Sequence, residues 1–317
     1  MITNDIAQAV TIIASGKLCA IPTETVYGLA ANALDESAVA RVFEAKERPA
    51  DHPLIVHVAT TDDANEWITE LPQWAIKLTE SVWPGPLTIV GPRTALASDS
   101  VTGGQDTVAV RVPGHPIAQE LLTELKLIGI KGLVAPSANR FGHVSPTSAS
   151  HVLSDLGEYL SSHGDLILDG GECQVGLEST IVLATGTNPG VLRPGAITSK
   201  DIEQITGIAV SSQLANAPRV SGSLDSHYAP IAKVVLIAEE STAVSGANSG
   251  FLALAKVPTP NGLVRLGSPS TIDDFAHELY GCLRSGDDLK LEIIYVVPPT
   301  GEGLAQAIND RLQRAAF

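Results

Sequence analysis

Four cations stand beside predicted strand or helix ends. Lys46 and Arg48 belong to Lys46-Glu47-Arg48-Pro49, Arg111 to Thr107-Val108-Ala109-Val110-Arg111-Val112-Pro113, and Arg193 to Val191-Leu192-Arg193-Pro194-Gly195. Ammonium and guanidinium groups that converge clamp phosphates, and a guanidinium fork grips a carboxylate through two parallel hydrogen bonds. Only 20 of the 317 residues are Lys or Arg, so four at such places point to an anion site. Strand alternation puts Val108, Val110 and Val112 on one face and Thr107, Ala109 and Arg111 on the other. If that second face lines a cleft, Arg111 can hold a carboxylate there. Plainer duties fit the same residues. Lys46 and Arg48 also suit a helix C-terminus, and Arg111 an exposed sheet edge.

Neutral polar turns accompany the cations. Pro22-Thr23-Glu24-Thr25-Val26-Tyr27-Gly28-Leu29 follows a short apolar run, so its polar groups fall at a strand's C-terminal end, where open α/β sheets bind ligands. Ala135-Pro136-Ser137-Ala138-Asn139 and Ser145-Pro146-Thr147 bring small hydroxyl and amide groups suited to phosphate or ribose. They suit turns and helix caps equally well. Gly176-Leu177-Glu178-Ser179-Thr180 places Glu178 as a structural partner for one of the cations. His52 and His57 flank the next β-rich run, which helix-end electrostatics does not explain. No P-loop, dinucleotide fingerprint, zinc-protease helix or nucleophile elbow is present. The eight histidines show no zinc spacing, so no metal site is expected.

The elements that must position these residues alternate. Asn4 is placed to cap a helix over 5–15. Apolar spacing predicts helices over 36–45, 64–80 (interrupted near Pro72), 117–125 and 147–156. Strand-like runs cover 18–21, 54–58, 87–90, 107–112, 133–135, 166–168 and 180–183. Residues 211–230 are rich in Ser, Ala, Asn, Gly and Pro and read as a linker. Beyond it the pattern restarts, with strands over 234–237, 251–255 and 291–297 and helices over 273–283 and 303–315. That spacing predicts a small parallel α/β unit. The expected organisation is therefore 1–210 as a catalytic domain, 211–230 as a linker, and 231–317 as a C-terminal domain.

A formal net charge of −15 disfavours stable binding to nucleic acid, which needs a positive face. The three cysteines, Cys19, Cys173 and Cys282, are scattered and form no paired motif, which fits buried thiols in a reducing compartment. Residues 1–16 lack the basic start and apolar run of a signal peptide, and no apolar run approaches membrane-spanning length. The cytoplasm is the expected location, and no membrane partner is expected.

Taken together, PTETVYGL, the Lys46–His57 block, TVAVRVP, APSAN with SPT, GLEST and LRPG resemble the YrdC-domain family in its long form. They stand in the family's order over 18–195, and SHYAP (226–230) matches the long form's linker motif. The resemblance implies a YrdC-like twisted open mixed sheet with flanking helices, plus a smaller Rossmann-like parallel α/β domain. It implies an L-threonylcarbamoyladenylate synthase. Such an enzyme condenses L-threonine, bicarbonate and ATP, with Mg²⁺ carried by the nucleotide, into threonylcarbamoyl-AMP and pyrophosphate. A separate transferase complex then moves the group to tRNA.

Position by position, the family's threonine site falls on Thr25, His57, Arg111 and Ser179 with the Ala135 backbone. Its ATP site falls on Arg48, His52, Thr107, Ser137, Ser145, Arg193 and Tyr228, and its phosphate-facing lysine on Lys46. Lys46, Arg48 and Arg111 are the expected catalytic groups. Glu47 stands where the family often has Gly, and His52 where Asn is common. The linker's His227 and Tyr228 suggest a lid, or else a passive tether. Two other classes remain open: an RNA-binding YrdC-like module, and a nucleotide or amino-acid sensor without turnover. The carbamoyl-AMP chemistry of hydrogenase maturation proteins requires acylphosphatase-like and zinc-finger segments that are not visible here.

Overall fold

The computed structural model describes residues 1–317 apart from 212–213, 215–216, 223–226, 245 and 247. The strands of the large sheet run across it in the order Ile2–Thr3, Leu166–Leu168, Cys19–Ile21, Gly28–Asn32, Leu133–Val134, Ile55–His57, Thr107–Arg111, Leu87–Pro92, Thr180–Leu183 and Gly190–Arg193. Parallel and antiparallel pairs mix, with the sequence-distant strands Ile55–His57 and Thr107–Arg111 lying parallel in register. A second sheet of Lys233–Leu236, Ile293–Val296, Ser249–Leu252 and Val264–Gly267 is parallel throughout. Helices Ile272–Asp288 and Leu304–Ala315 accompany it. No described helix is long and apolar enough to cross a membrane.

Apolar residues dictate this arrangement. Val108, Val110 and Val112 enter the main core with Val56 and Ile89, while Ala109 packs in a separate small cluster on the opposite face with Ile55 and Ile181. The valine alternation thus turns Arg111 away from the main core. Gly28 is required by close approach. A Cβ there would lie 3.0 Å from the Ala135 side chain, where the two polar turns meet through a bridge between Gly28 and Ser137.

Several local expectations are corrected. The first helix is Ile6–Ala14, and Asp5 caps it by accepting from the amides of Ala7 and Gln8; Asn4 does not. The span 64–80 is not one helix. A short Thr61–Ala64 turn precedes Gln73–Val82, and Pro72 starts the latter because it fixes its own φ and cannot continue a preceding ladder. The helix expected over 147–156 runs Ala149–His163 from a Ser148 cap. Strands Gly28–Asn32 and Val264–Gly267 and helix Ser199–Thr206 were not expected. Gly28–Asn32 is buried along almost all of its length, so it shows no alternation. Ser226 of the linker motif lies outside the described residues.

Candidate active site

His57 and Arg111 end two parallel strands and face each other in register. The Thr23–Val26 turn follows Cys19–Ile21, Ala135 follows Leu133–Val134, and Ser179 precedes Thr180–Leu183. These edges meet at one cavity enclosing about 480 Å³, including space open to solvent at its mouth. Thr25, Arg48, His57, Arg111, Ala135, Ser137, Ser179, Arg193 and Tyr228 all line it, so nine of the positions singled out in the sequence come together.

Arg111 is held from three sides. Its Nη1 donates to Thr25 Oγ1 at 2.9 Å, its Nε donates to the Gly85 carbonyl at 3.3 Å, and its Nη2 lies 2.7 Å from Glu24 Oε1. The Glu24 contact is an ion pair without hydrogen-bond alignment. Burial and the Arg111 charge push His57 down to about 3, so at neutral pH it is an uncharged hydrogen-bonding group.

Arg48 and Arg193 face the other part of the cavity. Arg48 Nη2 donates to the Pro53 carbonyl at 3.0 Å and to Ser221 Oγ at 3.2 Å. Arg193 donates to the Ser179 carbonyl and hydroxyl at 2.9 and 3.1 Å and to the Ser221 carbonyl at 3.0 Å. Among the described residues neither guanidinium has a carboxylate oxygen within 4.0 Å. Burial draws both below the ordinary arginine value, Arg48 to about 10, and both remain cations at neutral pH. Two cations paired only with neutral oxygens are poised for an anion.

Four expected nucleotide contacts are not on the cavity wall. Lys46 is buried and donates to the Ser137 and Asn139 carbonyls at 2.5 and 2.6 Å, so it ties the helix end to the Ser137 turn. Burial and the Arg48 charge hold its ammonium well below the usual lysine value. Ser145 Oγ is committed to Glu178 Oε1 at 2.6 Å. Thr107 opens instead into a smaller neighbouring cavity with Arg219 and Ser221. His52 stands edge-on to Phe141, whose ring also lies under Arg48.

Other participants carry no motif in the sequence. Ser221 and Gly222, from the bland linker, line the cavity beside Tyr228. A Cβ on Gly222 would fall 2.2 Å from the Tyr228 hydroxyl, so that approach needs glycine. Arg311, Tyr280 and the carbonyl of Arg314, from the C-terminal unit, stand behind the cavity wall and bond to residues that line it. Tyr280 OH donates to Glu178 at 2.8 Å, and the Arg314 carbonyl accepts from the His227 amide. Their helices read as ordinary amphipathic ones, so no periodic signal marked them. Among the described residues no group of three His, Cys, Asp or Glu side chains could hold a metal ion. Glu178 has both its oxygens occupied, by Ser145, Tyr280 and Arg311.

This is a buried, cationic small-molecule site at strand ends of an α/β sheet, partly closed by a second unit. A family model described as "Telomere recombination" (Sua5/YciO/YrdC) matches residues 11–195, and one described as "Threonylcarbamoyl-AMP synthase, C-terminal domain" matches 197–317. The threonylcarbamoyl-AMP synthase of Pyrococcus abyssi is 38% identical over 97% of this chain and 93% of its own length. That of Bacillus subtilis is 37% identical over 99% of this chain and 94% of its own length. A crystal structure of P. abyssi Sua5 complexed with L-threonine superposes with a TM-score of 0.86 at 36% identity, covering 98% of this chain and 94% of that one. The chain belongs to the Sua5/YciO/YrdC family and carries its long-form C-terminal domain.

Proposed function

We propose that this chain is an enzyme that condenses L-threonine, bicarbonate and ATP to threonylcarbamoyl-AMP and pyrophosphate. The observation that carries the reading is the pairing of two kinds of site in one cavity. A fixed guanidinium with hydroxyls and a neutral imidazole, suited to an amino acid, lies beside two arginines without carboxylate partners, suited to phosphates. The relatives' shared name and the threonine-bound structure support it.

In this reading Arg111 takes the threonine carboxylate, and Thr25, His57, Ser179 and the Ala135 backbone orient the rest of the amino acid. The neutral amine adds to the carbon of bicarbonate, a C–O bond breaks and the departing hydroxide leaves with an amine proton as water, giving a carbamate; with carbon dioxide the same N–C bond forms and the amine proton passes to solvent. A carbamate oxygen then forms a bond to the α-phosphorus, and the bond to the pyrophosphate oxygen breaks. Arg48 and Arg193 hold the phosphates and absorb developing charge, with Ser137 and Tyr228 beside them. Lys46 serves by fixing the Ser137 turn; His52, Thr107 and Ser145 reach the nucleotide only after the linker or the side chains shift. Mg²⁺ arrives bound to ATP, and no protein ligand is assigned to it.

We further propose 1–210 as the catalytic domain, 211–230 as linker and lid, and 231–317 as the C-terminal domain. The product is a mixed anhydride that water destroys, and the fully buried Tyr228 would exclude water from it. The threonylcarbamoyl group then passes to a separate tRNA-modifying transferase in the cytoplasm. The test is mass-spectrometric detection of threonylcarbamoyl-AMP from the purified chain with all three substrates. Its absence under conditions where ATP and threonine both bind would favour a sensor without turnover. Tight, threonine-independent RNA binding would favour the RNA module.

A further inference from the structure

Glu178 lies in the same cavity wall as Arg193, adjoins Ser179 in sequence, and would neutralise Arg193 if it turned toward it. It does not turn. Its Oε2 accepts from Arg311 Nε at 2.8 Å and from Tyr280 OH at 2.8 Å, and its Oε1 accepts from Ser145 Oγ at 2.6 Å. Among the described residues, the hydrogen bonds of Arg193 all go to neutral oxygens of Ser179 and Ser221. Arg311 comes from helix Leu304–Ala315, and its side chain is wholly buried. It also donates to the carbonyl of Pro194 at 3.0 Å, the residue after Arg193, and its guanidinium lies 5.2 Å from the Tyr228 ring centre.

Resting on the reading above, we propose that Arg311 is a positioning residue for the reaction. By holding Glu178 it keeps Arg193 without a carboxylate partner and therefore available to the phosphates of ATP. A buried ion pair is a poor device for joining two units, because apolar side chains of similar volume do it at least as well. The electrostatics explain its presence here. A carboxylate placed beside a phosphate clamp must be matched by a second cation, or it becomes the clamp's own ligand. The second cation comes from the C-terminal unit, so that unit contributes to nucleotide affinity without touching the nucleotide.

The test compares the full chain with Arg311→Met, Glu178→Gln and the double variant. It measures Mg·ATP affinity by titration, KM and kcat for threonine, and thermal midpoint. Arg311→Met is expected to weaken ATP binding about tenfold or more, since Glu178 is then released onto Arg193. The double variant should recover to within about threefold of the wild type although it carries one more change. A purely structural role for Arg311 predicts no such recovery. If Arg311→Met fails to fold, Glu178→Gln alone decides, with ATP binding equal to or tighter than wild type expected. Wild-type ATP affinity in Arg311→Met, a double variant no better than the single one, or weakened binding in Glu178→Gln overturns the proposal. Wild-type chain that binds no ATP overturns the functional reading and this inference with it.

Discussion

Arg111 Nη1 donates a hydrogen bond to Thr25 Oγ1 at 2.9 Å across a separation of 86 residues in sequence. That contact joins the end of a valine-rich strand to the turn after strand Cys19–Ile21, and with Gly85 and Glu24 it fixes where the guanidinium points. Arg111→Ala is predicted to lower kcat/KM for threonine about a hundredfold, equivalent to ~3 kcal/mol, with little change in ATP affinity. Arg111→Lys should not restore it, because a single ammonium cannot reproduce the fork. Steady-state kinetics check both, and threonine KM and kcat at wild-type values in either variant would remove Arg111 from the site.

Tyr228 has positive φ, is buried and lines the cavity from the linker. Tyr228→Ala is expected to weaken ATP binding and to speed hydrolytic loss of the intermediate. The measurement is pyrophosphate released per threonylcarbamoyl-AMP recovered. A ratio equal to that of the wild type, with unchanged ATP affinity, leaves the linker as a tether.

Glu47 occupies the left-handed region at φ 54, ψ 37 as it caps the helix Glu36–Lys46. This gives the physical reason for glycine at that position in the resembling family. Glu47→Gly should raise stability by about 0.5–1 kcal/mol in chemical denaturation, because relief of the left-handed strain exceeds the freedom that glycine adds to the unfolded chain. The Arg140 ion pair lost with it is exposed and contributes little. A destabilised variant would contradict this account of the turn.

Much of this site was legible because it is local. Most of the cations and hydroxyls stand at or beside the end of a run whose periodicity marks a strand or helix, and alternation alone turned Arg111 off the main core. What was hidden is what proximity decides. Lys46 reaches backbone carbonyls of a turn 91 residues away or more, which no spacing announces. Arg311 sits in an amphipathic helix whose pattern says only that one face is buried. Gly28–Asn32 is enclosed on both sides and so lacks the alternation that betrays a half-buried strand.

Two buried histidines set the acid side of the stability profile. Burial, with the Arg111 charge, brings His57 to about 3; burial, against Glu178 and with the Lys46 charge, brings His227 to about 3. Both lie below the unfolded value of 6.5. Above the unfolded value both states are neutral and the full stability is present. As pH falls toward the folded value only the unfolded chain gains protons, so stability drops by up to ~1.4 kcal/mol per pH unit for each histidine. Below the ordinary carboxylate value Glu178 adds to the loss. Its burial raises the carboxyl, but Arg311, Arg193 and hydrogen bonds outweigh that and hold it at about 2. Denaturation midpoints should fall between about pH 7 and about pH 5, and His57→Gln should flatten the slope. A flat profile in the unaltered chain would show that these histidines are not held neutral.

The central claim is that one cavity joins an amino acid to a nucleotide. It is tested most directly by pyrophosphate release from the purified chain with ATP, threonine and bicarbonate omitted one at a time. The account predicts release only when all three are present, and its loss when Arg193 is replaced by alanine. Release from ATP alone, or none with the complete set, would contradict it.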